Sequence, residues 1–436
     1  MSRAESIKQR NFKLVSPMTQ RWIELNAWLN SSGDAPDSWL RPGRDPARIF
    51  TLEHYVHAAR TAYRGVFGNV FTSDRPQLVI GENQRPEHTL DPFVLFASVL
   101  AQVPDIGGII TASTTYSEPY TLARQIQSLH LLSGGRIAWN IVTSWNPAIA
   151  ANYSNQPLPD RESRYARAEE FVEVVLKLWE SWRFEWDGSA GHGQPQPINH
   201  RGAHFHVAGP LNVPTAPWGR PRLVQAGGSD AGIGLAARHA DAVYASSSSL
   251  QATQALRQRL RDAARAIGRA ENHLPQLVPV LIPILTDSEA KADVLKKEWL
   301  QALADDPQAL QQKAELAAEQ LGVRHRDFDR PLQAEDFGDP TGSIIPIGSL
   351  QARCQRALDE KLSLRDLVQH EALPGLIGTP EQIAHHIVQW FRAEAVDGFT
   401  IIPRYLPDDL EVFVDTVIPL LQESGHYPRS YVQRVG

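Results

Sequence analysis

Short apolar runs alternate with stretches of helical period along most of this chain. Runs at 22–28, 66–71, 107–112, 137–142, 222–226, 240–245, 277–285 and 399–403 predict strands. Amphipathic patterns at 54–64, 92–102, 119–132, 163–182, 229–238, 250–267, 287–303, 380–395 and 408–423 predict the helices between and after them. Thr379-Pro380-Glu381-Gln382 is a helix start, with a capping hydroxyl ahead of a proline at the first helical position. Eight strands alternating with helices predict an α/β fold, a (β/α)8 TIM barrel, over an open sheet.

Two segments interrupt the alternation. One, 184–221, is rich in Gly, Pro and His; the other, 305–378, carries a helical pattern followed by a Pro-, Gly- and Asp-rich stretch. Such insertions are either lids and binding loops or surface decoration and oligomer contacts. The expectation is one barrel domain over 1–436 with these two insertions.

Composition narrows the class. The chain has 436 residues, 42% of them hydrophobic, and a net charge of −6, which argues against a nucleic-acid surface. No apolar run approaches the roughly 20 residues of a membrane span. The charged segment from Met1 to Lys13 lacks the apolar centre of a signal peptide. Cys354 is the only cysteine, so no disulfide framework or cysteine-zinc cluster is expected. A soluble cytoplasmic protein is the expectation.

In a barrel, ligands sit at the carboxyl ends of the strands, and there the polar residues cluster. Ser133-Gly134-Gly135-Arg136 ends a helix, and the run that follows delivers Asn140, Thr143, Ser144 and Trp145 at its end. Thr111-Ala112-Ser113-Thr114-Thr115-Tyr116 repeats the device one strand earlier. Gln225-Ala226-Gly227-Gly228-Ser229-Asp230 turns from a strand into a helix. Its amides and the positive helix end suit a phosphate, although a capped turn has the same residues. Arg161 to Tyr165 opens an amphipathic helix whose Arg and Tyr either reach that phosphate or face solvent. His192, His200, His204 and His206 lie on a loop without interposed carboxylates, which favours structural or gating histidines over a metal site. No hydrolase motif is present, so a phosphate-bearing cofactor is the expected source of chemistry.

Taken together, these motifs resemble the bacterial-luciferase-type flavin monooxygenases, in the branch of the nitrilotriacetate, EDTA, dibenzothiophene sulfone and long-chain alkane monooxygenases. The resemblance is carried by 111–116 with Pro119-Tyr120, 135–144, Arg164-Tyr165 with Glu169-Glu170-Phe171, Gly209-Pro210-Leu211, Gln225-Ala226-Gly227, 236–241, and Gly378-Thr379-Pro380 with Asp397-Gly398-Phe399. It implies a TIM barrel that takes up FMN in its reduced form, FMNH2, delivered by diffusion from a separate NADH-dependent flavin reductase. O2 and a small organic substrate, aromatic or bearing sulfur or nitrogen, complete the reaction, and a homodimer or homotetramer is implied.

By position, the resemblance makes Asp74, Thr111, Asn140, Ser144, Arg164, Tyr165, Ala226, Gly227, Gly228 and Ser229 cofactor-binding, and Asn140, Ser144 and Trp145 catalytic, with no metal. Three departures stand out. Gly68 and Thr72-Ser73-Asp74 alter strand 2, where many relatives have an Asp after Phe. Trp145 replaces a histidine of the alkane branch, so it would wall the pocket rather than move protons. The loop at 31–48 is long for its place. A deazaflavin-dependent oxidoreductase on the same fold and a flavin-binding protein without turnover are the alternatives.

Overall fold

Eight parallel strands close into a ring: β1 (Glu24–Trp28), β2 (Asn69–Thr72), β3 (Gly107–Ser113), β4 (Ile137–Val142), β5 (Arg222–Ala226), β6 (Ala242–Tyr244), β7 and β8 (Gly398–Ile401). β7 consists of two pieces, Gln276–Leu277 against β6 and Val280–Leu281 against β8, and this segment closes the barrel. The protein is seen in a computed structural model describing residues 21–41, 43, 45–80, 86–87, 90–154, 156–183, 193–227, 229–245, 249–338, 347–371 and 373–432. The barrel and its α/β architecture agree with the strand pattern of the sequence.

The helices, in chain order, are α1 (Leu52–Arg64), α2 (Pro92–Leu100), α3 (Pro119–Ser133), α4 (Arg161–Trp179), α5 (Asp230–His239), α6 (Leu250–Ala266), α7 (Glu289–Ala304), α8 (Pro307–Leu321), α9 (Ile347–Asp359), α10 (Leu364–His370), α11 (Pro380–Arg392) and α12 (Asp408–Glu423). Side chains of Thr51, Asp91, Asp160, Ser229, Ser249 and Thr379 cap the starts of α1, α2, α4, α5, α6 and α11. Outward strand residues such as Leu25, Val70, Ile110, Ile141, Leu223 and Phe399 pack in the main core with the helices. Inward residues form a second apolar layer across the barrel: Phe71, Ile109, Ala138, Val224, Ala242, Tyr244 and Val278. Below it, at the amino ends of the strands, Asn69 Nδ2 donates to Glu24 Oε1 at 3.0 Å and to Asn26 Oδ1 at 2.9 Å. That end of the barrel is plugged by its own side chains.

The apolar run 277–285 predicted one strand, but the structure divides it. Pro279 has no N–H for a ladder, and 283–285 leaves the barrel to pair in parallel with Leu376–Gly378. This pair brings the end of the second insertion back beside the strand that precedes α7. Within the insertion, α8, α9 and α10 gather a separate core including Leu310, Ala314, Leu321, Phe328, Leu332, Leu350 and Leu367.

The described part of the first insertion runs along the flank of α3 and α4. Gln127 donates to Pro214 O at 2.7 Å, Thr215 to Trp179 O at 2.6 Å and Trp182 to Leu211 O at 2.6 Å. Among the described residues no helix is long and apolar enough to cross a membrane.

Candidate flavin site at the carboxyl end of the barrel

Two residues beyond the apolar layer, the inward positions turn polar. Thr111 donates its hydroxyl to Thr72 O at 2.7 Å, and Asn140 Nδ2 donates to Thr111 Oγ1 at 3.0 Å. A backbone carbonyl can only accept, so the direction of this chain is set: Thr111 receives from the Asn140 amide, and Asn140 Oδ1 is turned away from it. That oxygen is buried and has no partner. Buried acceptors are rarely left so, and a ligand N–H is what this one fits. Asn30 extends the rail, accepting from Thr72 Oγ1 at 2.6 Å and donating to Ser73 Oγ at 2.7 Å.

At the rim, Ser113 Oγ and Ser144 Oγ lie 2.7 Å apart. Ser144 is buried and holds φ +41°, a left-handed conformation unusual for a residue with a Cβ. Trp145, next along, is 36% exposed. Tyr153 is half exposed, and its ring stacks on Tyr116 with centroids 4.5 Å apart. Burial raises the Tyr153 pKa, helped by the nearby negative charges of Asp74 and Asp91. Asp74 therefore lies within electrostatic reach of Tyr153.

The turn into α5 forms the other corner. Ser229 Oγ accepts from Gly232 N at 3.3 Å, and Gly227 has φ +144°, which favours glycine. A Cβ on Gly227 would sit 3.9 Å from the Tyr165 hydroxyl and 3.1 Å from Gln225 Nε2, so Tyr165 and this turn are neighbours. Arg164 is half-buried, and burial lowers its pKa against the opposing pull of Tyr165 and Tyr116. Its Nη1 donates to Pro159 O at 2.6 Å, whereas its Nε is buried without a partner. The Tyr116 hydroxyl and Gln225 Oε1 are likewise buried and unpaired. The two unpaired donors, Arg164 Nε–H and the Tyr116 O–H, fit a phosphate, as does the positive end of α5 beside Tyr165, and the unpaired Asn140 acceptor fits the ring of such a ligand.

The luciferase-like monooxygenase family model matches residues 36–397. The chain belongs to the luciferase-like monooxygenases. It is 36% identical to nitrilotriacetate monooxygenase component A of Aminobacter aminovorans, over 94% of each chain. It is 34% identical, again over 94% of each, to the N-acetyl-S-(2-succino)cysteine monooxygenase of Bacillus subtilis. Among solved structures, the EDTA monooxygenase of Chelativorans sp. is 47% identical with a TM-score of 0.79, covering 94% of this chain and 96% of its own. The luciferase-like chain described here is accordingly a flavin-dependent monooxygenase, in the branch that its motifs pointed to.

Within this luciferase-like barrel, the sequence-derived residues fall into two groups. Thr111, Asn140 and Ser144 meet at the ends of β3 and β4, and Arg164 and Tyr165 start α4 beside Ala226, Gly227 and Ser229. Gly228 and His192 lie outside the described residues. Asn30, Ser113, Tyr116 and Gln225 are partners in the site that were not singled out individually. Three of them sat inside quoted motifs, while Asn30 lies just ahead of the loop flagged as long and outside every quoted motif.

One histidine of the cluster, His200, has a structural role. His200 Nδ1 faces Lys177 Nζ at 3.2 Å and so accepts, which leaves Nε2–H to donate to Glu170 Oε1 at 3.0 Å. Burial alone would raise the Glu170 pKa, but His200 and the amides of His204 and Phe205 hold it down at about 2. Among the described residues no three His, Cys, Asp or Glu side chains converge as a metal site.

Proposed function

We propose that this protein oxygenates a small organic substrate with O2 and FMNH2, the reduced flavin arriving by diffusion from a separate NADH-dependent reductase. The observation that carries the reading is the pair of buried, unpaired donors, Arg164 Nε–H and the Tyr116 O–H, on side chains within electrostatic reach of each other, with Tyr165, next to Arg164, beside the Gly227 turn. A single phosphate accounts for both, and FMN carries one phosphate and no adenylate. When bound, reduced flavin supplies the electrons that activate O2.

The protein's own groups bind, orient and exclude water. Ala226, Gly227, Gly228 and Ser229 hold the phosphate end with Arg164 and Tyr165. Asn140 accepts a hydrogen bond from the ring, with Thr111 fixing its amide, and Ser144 and Asp74 contact the cofactor from the rim. Trp145 has an indole N–H and no basic atom, so its part is to shield the reacting edge and to pack on the substrate. The substrate class is a small molecule with a carbon next to nitrogen or sulfur, a feature that the named substrates of the three relatives share. A homodimer or homotetramer is the assembly that accompanies this reading.

Oxygen uptake with FMN, NADH and a flavin reductase, run across aminocarboxylates, thioethers and aromatic sulfones, tests the proposal. Substrate-dependent uptake with an oxygenated product supports it. Uptake that yields only hydrogen peroxide across all three classes contradicts the proposed substrate class.

A further inference from the structure

Ser113 has no role in the reading above, yet it is the only described partner of the Ser144 hydroxyl. We infer that Ser113 is a positioning residue: its hydrogen bond to Ser144 Oγ fixes the Ser144 hydroxyl at the mouth of the barrel. The inference rests on the flavin reading for the identity of the ligand that this hydroxyl meets.

Ser113 Oγ takes the backbone N–H of Thr115 at 3.1 Å, and its one remaining neighbour is Ser144 Oγ at 2.7 Å. Whichever of the two hydroxyls donates, the other keeps a proton with no acceptor among the described residues, so the pair offers one hydroxyl proton to a ligand. The flanking loops hold this geometry. Thr115 Oγ1 donates to Thr143 O at 2.7 Å and Thr114 Oγ1 to Val142 O at 3.2 Å, tying the end of β3 to the end of β4 on both sides of the pair.

The backbone of Ser144 is a second, independent sign. At φ +41° a serine is strained where glycine is not. A strained residue whose side chain performed no task would be better as glycine. The site thus pairs an acceptor at Asn140, oriented by Thr111, with a hydroxyl at Ser144, held by Ser113 two positions further along β3.

Flavin titration of the purified protein and its variants tests this, read by fluorescence quenching, by the absorption maximum of bound FMN and by Tm. Ser113→Ala is expected to weaken FMN binding roughly tenfold and to shift the absorption maximum, with little change in Tm. Ser113→Thr, which keeps the hydroxyl, restores both. Ser144→Gly is expected to raise Tm while losing the same affinity, and the double variant to bind no worse than either single one. Wild-type affinity and spectrum in Ser113→Ala, or losses that add in the double variant, overturn the inference while leaving the flavin reading intact. A wild-type protein that binds no FMN overturns both.

Discussion

Thr111 donates to the backbone carbonyl of Thr72, on the neighbouring strand, at 2.7 Å. This bond decides which way the amide of Asn140 faces, because Thr111 has no second proton to give. Thr111→Val removes both halves of the relay, leaving Asn140 Nδ2 and Thr72 O short of partners in a buried site. The expected cost is about 1–3 kcal/mol in stability. FMN binding should weaken as well, since the amide is free to flip. Thermal unfolding and flavin titration check both, with Thr111→Ser expected to resemble the wild type.

The phosphate corner predicts a contrast between two ligands. Arg164→Ala should weaken FMN binding strongly and leave riboflavin binding nearly unchanged, because riboflavin lacks the phosphate. Ser229→Asp keeps a good helix cap and adds a negative charge where the phosphate would sit, so it should show the same contrast. Equal losses for FMN and riboflavin place the phosphate elsewhere.

Trp145 is partly exposed, so Trp145→Ala should change Tm little. The account expects more hydrogen peroxide released per NADH consumed, because a shield beside the reacting edge is gone. Coupling equal to wild type in both Trp145→Ala and Trp145→His would remove this residue from the site.

Stability should fall on acidification in two stages. His130 and His386 are buried, which lowers each pKa to about 4 from 6.5, so the unfolded chain binds more protons between these values. Stability is therefore lost as pH falls from 6.5 towards 4. Glu170, held at about 2 against an ordinary 4.5, adds stability that is full above pH 4.5 and is lost as pH falls towards 2. A Tm that is flat from pH 6.5 to 4 would contradict the first stage. His386→Gln should shrink it.

Asp397 joins β8 to α6, accepting from Arg257 Nη2 at 2.8 Å and from Leu277 N at 2.9 Å. Burial would raise its pKa, but Arg257 keeps it low and the group ionised. Asp397→Ala leaves the buried arginine facing the exposed Glu394 at 3.8 Å, and a loss of about 3–5 kcal/mol is expected by denaturant unfolding.

Much of the barrel could be read from local pattern. β4 and β5 have the predicted bounds, 137–142 and 222–226, because Gly134-Gly135 and the polar Thr143-Ser144 flank the first apolar run, and Pro221 and Gly227-Gly228 flank the second. The β7 region misled because the apolar run continues through Pro279 and Pro283, and only the ladder shows where pairing stops. The short α10, Leu364–His370, has too few turns to declare a period. In the site, residues at strand ends were legible because their positions follow from strand register. Asn30 was not, since its value comes from Thr72 and Ser73, more than forty positions along the chain.

Anaerobic titration with FMNH2, set beside oxidised FMN, FAD and a deazaflavin, tests the central claim most directly. The account expects saturation at one FMNH2 per chain, tighter than oxidised FMN, with weak binding of FAD and of the deazaflavin. Tight stoichiometric binding of the deazaflavin or of FAD, with no preference for FMNH2, would contradict it.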